Sequence, residues 1–221
     1  MVCTSSRNGS SVTTRPRTDD VAAFIGRIDP AFRPLIRRIG PPPNPRPARV
    51  DERYGALVRS IIFQLISTAA GRTIQGRVTE MCGGDITPES ILATGPDVLR
   101  TAGVSRTKAE AMVSLAENVQ GGLVRLDLHG RWDDATVEAD VTKIRGIGPW
   151  TAHMYLMFSL ARADVWPTGD LGVRVGWSKV HELDDMISPR DLAREGERFP
   201  GVRSALSWYC WRAIEDDDFV L

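Results

Sequence analysis

The stretch VTKIRGIGPWTAHMYLMFSLARADVWPTGDLGVRVG, residues 141–176, decides the fold and most of the chemistry. A helix ending near Ile144 meets the turn Gly146-Ile147-Gly148, and Pro149 opens a second helix where its missing N–H costs nothing. Both glycines suit positive φ and close backbone approach. They also clear side chains from the turn, so the amides of residues 148–151 stand unpaired at a helix N-terminus, a seat for a phosphate. The spacing predicts helix, hairpin, helix, although a tight αα turn without a ligand has the same local signature. Asp170, between Thr168-Gly169 and Leu171-Gly172, reads locally as the N-cap of the next helix.

Working outward, Tyr54, Leu57, Val58, Ile61, Ile62, Leu65 and Ile66 make a one-sided helical stripe over 54–66. Further helical patterns run over 68–81, 88–94, 96–101, 105–119, 134–142, 149–161, 170–180, 189–196 and 203–214. Breakers such as Gly83-Gly84, Gly95-Pro96, Gly121-Gly122 and Pro200-Gly201 separate them. Near the N-terminus, Val21, Phe24, Ile25 and Ile28 predict a helix capped by Asp19 or Asp20, with a second after Pro30. PPPNPRP, 41–47, predicts an extended surface strap. Only 123–128 hints at a strand. The expected class is all-α, about ten short helices in two subdomains, 51–145 and 19–50 joined with 146–221, facing each other across a cleft. Residues 1–18, rich in Ser, Thr and Arg, are expected to be a disordered basic tail.

The 221 residues are 42% hydrophobic and carry 28 basic against 28 acidic side chains, which excludes a membrane protein or a wholly disordered one. The charges are uneven: residues 1–50 hold nine arginines against three aspartates, a surplus of six that the remainder offsets. Only Lys108, Lys143 and Lys179 are lysine; arginine suits phosphate contacts, although a GC-rich genome yields the same bias. Cys3, Cys82 and Cys210 have no paired spacing, so reduced thiols are expected rather than a disulfide framework, zinc or iron-sulfur site. No apolar leader is present, and a cytoplasmic location follows by default, nucleoid-associated if bacterial. The histidines at 129, 153 and 181 have no metal spacing and are expected at the surface or as caps, Asp164 is expected at the surface, and Glu215 to Asp218 read as a solvated end.

Three separated motifs in order resemble the helix-hairpin-helix DNA glycosylase superfamily, in its 3-methyladenine glycosylase II branch. They are IRGIG followed by Asp170 in PTGDLGVR; LVRSIIFQLISTAAGRTIQGRV, 57–78, similar to the branch's glutamine-leucine-(Val/Ile)-serine helix end; and GVRSALSWYCW, 201–211, similar to its C-terminal helix. LRTAGVSRTKAEAM, 99–112, also resembles the family. The resemblance covers about residues 20–214. The chain before Asp19 is too short for the extra N-terminal α/β domain of larger relatives, so a compact form is expected.

The resemblance implies a monofunctional glycosylase that flips out and hydrolytically excises alkylated purines, 3-methyladenine and 7-methylguanine, from duplex DNA in base excision repair. It makes Asp170 the essential carboxylate, stabilising positive charge on the sugar as the base leaves. Strand-cleaving members carry a nucleophilic lysine where this chain has Trp150. Trp150 and Trp211 are implied to line the base pocket, favouring cationic bases, with Met154 where a tyrosine is usual and Tyr155 displaced by one. Trp166 and Trp208 remain open. Leu65 has two readings: an apolar core residue, or a wedge filling the gap left by the flipped nucleotide, with Gln64 beside it on the opposite strand and Ser67 capping the next helix. Gly146, Gly148, Thr151, Lys143 and Arg174, with Arg106, Lys108 and Arg145 around them, are implied DNA contacts. Backbone carbonyls of Thr142, Ile144 and Ile147 correspond to those that hold Na+ or K+ in the family hairpin. No other cofactor is expected; the partner is double-stranded DNA with alkylated bases, with no membrane partner, and the chain is expected to be a monomer. Alternatives are a non-catalytic helix-hairpin-helix binding module, a glycosylase or lyase for another lesion class, and a helical small-molecule enzyme.

Overall fold

Helix α3 (Arg53–Ile62) buries Tyr54, Leu57, Val58, Ile61 and Ile62 on one face, as its apolar stripe requires, but stops four residues before the stripe does. The reason is at its C-terminus: the Lys108 ammonium donates to the carbonyl oxygens of Ile62 (2.9 Å) and Gln64 (2.6 Å), and Leu65 turns to φ 53°. The computed structural model describes residues 17–215, so the expected tail at 1–16, Cys3 and Asp216–Asp218 lie outside the described residues. The other helices are α1 (Thr18–Ile28), α2 (Arg33–Ile39), α4 (Thr68–Met81), α5 (Pro88–Thr101), α6 (Arg106–Gln120), α7 (Asp134–Val141), α8 (Pro149–Met154), α9 (Leu171–Val180), α10 (Pro189–Gly196) and α11 (Arg203–Ile214).

No strand occurs among the described residues, and 123–128 forms turns instead of the hinted strand. Side-chain oxygens cap most starts: Ser67 for α4, Thr87 for α5, Ser105 for α6, Asp133 for α7, Asp170 for α9 and Ser188 for α10. In α1 the cap is Arg17, not Asp19 or Asp20, which lie in the first turn and favour its dipole from there. The two helices expected over 88–101 are one, kinked at Gly95 with φ 75°. The helix expected over 149–161 is α8 followed by a π-helical turn, Tyr155–Ser159.

Two buried clusters form the core. One gathers Tyr54 through Val165 from α3 to α8 and the π turn. The other joins Ala22, Ile25, Phe32 and Leu35 to residues of α9 to α11. Ile147 through Val165 pack with the first cluster, so the core divides later in the chain than the 145/146 boundary drawn from sequence. In the second, α9 and α11 meet backbone to backbone: a Cβ on Gly176 would lie 1.9 Å from the Cys210 carbonyl oxygen. Residues 41–47 are extended and fastened at both ends, by Tyr209 donating to the Gly40 carbonyl (2.9 Å) and the Ala48 amide to the Ser159 carbonyl (2.6 Å). No described helix is long and apolar enough to cross a membrane.

His129 overturns the surface expectation. It is fully buried, with Nε2 2.9 Å from Asp140 Oδ2 and Nδ1 3.1 Å from the Tyr155 hydroxyl. Asp140 also accepts from Lys143 (2.6 Å) and the Arg125 amide (2.9 Å). A periodicity reading cannot see this, because the partners come from three separate segments. His181 does cap, its Nδ1 2.9 Å from the Trp177 carbonyl, and its Nε2 pairs with Asp29 at 3.0 Å. His153 pairs with Glu138. Asp164 is no bare surface residue either: half-buried, it takes both prongs of the Arg203 guanidinium at 2.7 and 2.6 Å, fastening the start of α11.

Burial pushes the His129 imidazole below its ordinary range, outweighing the Asp140 carboxylate beside it. For Asp140 burial works upward, but the bonds from Lys143 and His129 win and hold it below the usual carboxylate range. Folding thus favours the deprotonated form of each. Their contribution is complete above about pH 6.5 and is lost on acidification, first as unfolded His129 takes up a proton, then below about pH 4 for Asp140. Denaturation midpoints should fall between about pH 6.5 and 5, by at most about 1.4 kcal/mol per unit for one histidine. His129→Gln should make that limb shallower. An unchanged limb would show that His129 titrates alike in both states.

Candidate active site

The Asp170 carboxylate sits at the seam of the two clusters, 7% exposed. Its Oδ1 accepts from the Val173 amide (2.7 Å), the expected N-cap bond, and from the Trp211 indole N–H (2.9 Å). Its Oδ2 accepts from the Trp150 indole N–H at 2.5 Å. Trp150 comes from α8, Trp211 from α11 and Asp170 from the start of α9, so three helices converge on one carboxylate. Three neutral donors satisfy a buried anion without cancelling its charge. Gly172 is required here: a Cβ would lie 2.8 Å from the Trp211 ring and 3.2 Å from Asp170 Oδ1.

The two tryptophans are therefore brought to Asp170 as expected, but as donors to its carboxylate, a role the sequence reading did not assign. Trp211 also stacks on Phe158, ring centroids 5.8 Å apart and planes 29° from parallel. Phe158, 53% exposed, was missed; it lies two turns after Trp150, a spacing that could have found it had the π turn not shifted the register. Tyr155 is buried against His129, and Met154 is buried in the first cluster. Trp166 is a core residue whose indole donates to the Leu192 carbonyl (2.8 Å). Trp208, with Met157, Phe158 and Pro42, Pro43 and Pro45 of the strap, lines a separate cavity of about 200 Å³.

The hairpin forms as read. Gly146 has φ 93°, and a Cβ there would lie 2.8 Å from the Ala111 methyl of α6. Gly148 departs from the expectation of positive φ: at φ −98° and ψ 179° it is the extended N-cap of α8, contributing no side chain. The Trp150 and Thr151 amides head the helix, where no intrahelical acceptor reaches them. Ile144 lends its carbonyl to the Ile147 amide (3.0 Å).

Gln64 joins this hairpin to α3. Its Nε2 donates to the Gly146 carbonyl (3.0 Å) and to Thr151 Oγ1 (2.7 Å), and Thr151 is buried. Next to it Leu65 is 103% exposed, which ends the core reading. A left-handed φ at a leucine costs about 1–2 kcal/mol, so a bare Leu65 at φ 53° is held there by its surroundings. Ser67 caps α4 as expected, accepting from the Ala70 amide at 3.2 Å.

The basic residues divide. Lys143 pairs with Asp140 yet keeps its side chain 46% exposed, Arg106 pairs with Glu110, and Arg174 Nε donates to the Ile187 carbonyl (2.8 Å). Arg145 is exposed beside the hairpin. Lys108 is spent on the carbonyls of Ile62 and Gln64, and burial lowers its ammonium from the usual lysine range. Cys82 and Cys210 are free thiols; burial raises that of Cys210.

A helix-hairpin-helix facing a shielded carboxylate across an aromatic seam is the arrangement of a DNA base-excision protein. The chain belongs to the HhH-GPD superfamily of base excision DNA repair proteins, whose family model matches residues 58–200. It is 30% identical to DNA-3-methyladenine glycosylase 1 of Schizosaccharomyces pombe over 201 residues, 88% of this chain and 87% of that one. DNA-3-methyladenine glycosylase of Saccharomyces cerevisiae is 30% identical over 77% of this chain and 60% of its own length. The solved structure of the S. pombe 3-methyladenine DNA glycosylase in complex with abasic DNA superposes with a TM-score of 0.83 at 27% identity, covering 90% of this chain and 98% of that one.

The hairpin gives a direct test. Gly146→Ala meets both a left-handed φ and the Ala111 methyl, so it should lower stability by about 2 kcal/mol and weaken DNA binding with it. Thermal denaturation and a DNA titration check this; a variant as stable as the parent would mean that the turn relaxes freely.

Proposed function

We propose that this chain is a monofunctional DNA glycosylase that excises alkylated purines, of the 3-methyladenine and 7-methylguanine kind, from duplex DNA. The observation that carries the reading is the buried Asp170 carboxylate, hydrogen-bonded by the indoles of Trp150 and Trp211 beside an uncapped hairpin helix. An N-alkylated purine is cationic and leaves with the electron pair of its glycosidic bond, becoming neutral. The sugar is left with oxocarbenium character, and the un-neutralised Asp170 stabilises it. Water then adds to the sugar carbon and loses a proton, giving an abasic site. With Trp150 where a lyase would carry an amine, no covalent enzyme–sugar adduct forms and the strand stays whole.

The bare Leu65 side chain supports a wedge role in the gap of the flipped nucleotide. The α8 amides and Arg145, Lys143 and Arg174 would meet the backbone phosphates. Carbonyl oxygens of Thr142, Ile144 and Ile147 are hard, uncharged donors, a set that suits Na+ or K+, and such an ion would add positive charge beside a bound phosphate. The enzyme would act where the DNA is, in the cytoplasm and with the nucleoid if the host is bacterial.

Asp170→Asn tests the assignment cleanly, because asparagine caps a helix as well as aspartate does. It should fold with a denaturation midpoint close to the parent's and release methylated purines at least about 100-fold more slowly. The parent should leave abasic sites and no strand breaks until alkali is added. An Asn variant as fast as the parent would reduce Asp170 to a helix cap and return the chain to a DNA-binding module.

A further inference from the structure

Leu65 stands at the tip of a four-residue turn that no regular secondary structure holds. Three contacts fix it from behind. The Phe63 ring lies so close over Gly71 that a Cβ there would be 2.7 Å away. The Gln64 amide crosses to Gly146 and Thr151 of the hairpin. The third contact is long-range: Lys108 reaches from the first turn of α6 to the carbonyls of Ile62 and Gln64, one on each side of Phe63. An ammonium shared by two carbonyls 2.9 and 2.6 Å away closes the end of α3 and sets the direction in which the chain leaves it.

We propose that Lys108 is a positioning residue for the Leu65 wedge, holding the 62–65 turn so that the leucine side chain projects fully into the DNA. The assignment rests on the wedge reading of Leu65. It differs from a phosphate contact, the role lysines at a DNA face ordinarily fill, because the ammonium is turned inward onto two backbone oxygens. It also explains why an exposed leucine with left-handed φ is tolerated where a glycine would relax. The same helix that carries Lys108 carries Ala111, against which Gly146 packs, so α6 sets both the wedge turn and the hairpin.

A double-mutant cycle tests this, with single-turnover release of a methylated purine from duplex DNA as the readout. Leu65→Ala alone should slow release, and an unchanged rate would overturn the wedge reading and the Lys108 assignment with it. With the wedge established, Lys108→Met should slow release about 10-fold in the parent and less than about 2-fold in the Leu65→Ala background, since a residue acting through Leu65 has nothing left to position. Equal losses in both backgrounds, or none in either, would overturn the proposal. The dependence of DNA affinity on salt should keep its slope in Lys108→Met; a slope lower by about one would make Lys108 a phosphate ligand and also overturn it. Should Lys108→Met fail to fold, Lys108→Gln, which keeps one donor group, is carried through the same cycle with the same reading.

Discussion

Everything in this structure that bears on chemistry depends on how one carboxylate is kept charged out of water. A buried carboxylate is costly unless hydrogen bonds replace its hydration, and an arginine partner would replace it while cancelling the charge. Asp170 takes another route: two indole N–H groups and one helix amide, all neutral. The negative charge remains available to a cation forming nearby. Arg174, one turn into the helix that Asp170 caps, directs its Nε away, to the Ile187 carbonyl. Because the indoles belong to α8 and α11, the same hydrogen bonds tie the first core cluster to the second. Folding and electrostatics are satisfied by one set of contacts.

A second chain of contacts links that carboxylate to the surface that would meet DNA. Trp150 and Thr151 are neighbours at the head of α8: one donates to Asp170, and the other accepts from Gln64. Gln64 also holds the Gly146 carbonyl and precedes the exposed Leu65. Wedge, hairpin and carboxylate are therefore three parts of one hydrogen-bonded unit. Displacement of the wedge turn is felt at the hairpin without any hinge between them.

Much of this was legible in sequence because it follows from local rules. The hairpin is set by Gly146, Gly148 and Pro149 within four residues, and the caps at Ser67, Ser105 and Asp170 by neighbours three residues on. What was hidden depends on partners far apart in the chain. The stripe of α3 continues through Leu65 and Ile66, yet Lys108, more than forty residues away, ends the helix first. His129 carries no spacing signal because its acceptor and its hydroxyl partner lie 11 and 26 residues downstream. The indoles of Trp150 and Trp211 were legible as aromatic surfaces; their N–H groups become informative only once three helices are docked.

The π turn at Tyr155–Ser159 explains the aromatic residue that looked misplaced. In an uninterrupted α-helix, position 154 would share the face of Trp150, and an aromatic residue there could flank a base. Here position 154 is a methionine in the core, and the tyrosine one residue later turns inward to His129. A π turn fits an extra residue into the helix and rotates the residues after it, and Phe158 emerges at the surface against Trp211. The aromatic wall beside Asp170 is thus rebuilt from a different position of the same segment. Because the cause is backbone register, restoring a tyrosine at 154 alone would add a ring to a filled core without returning it to that wall.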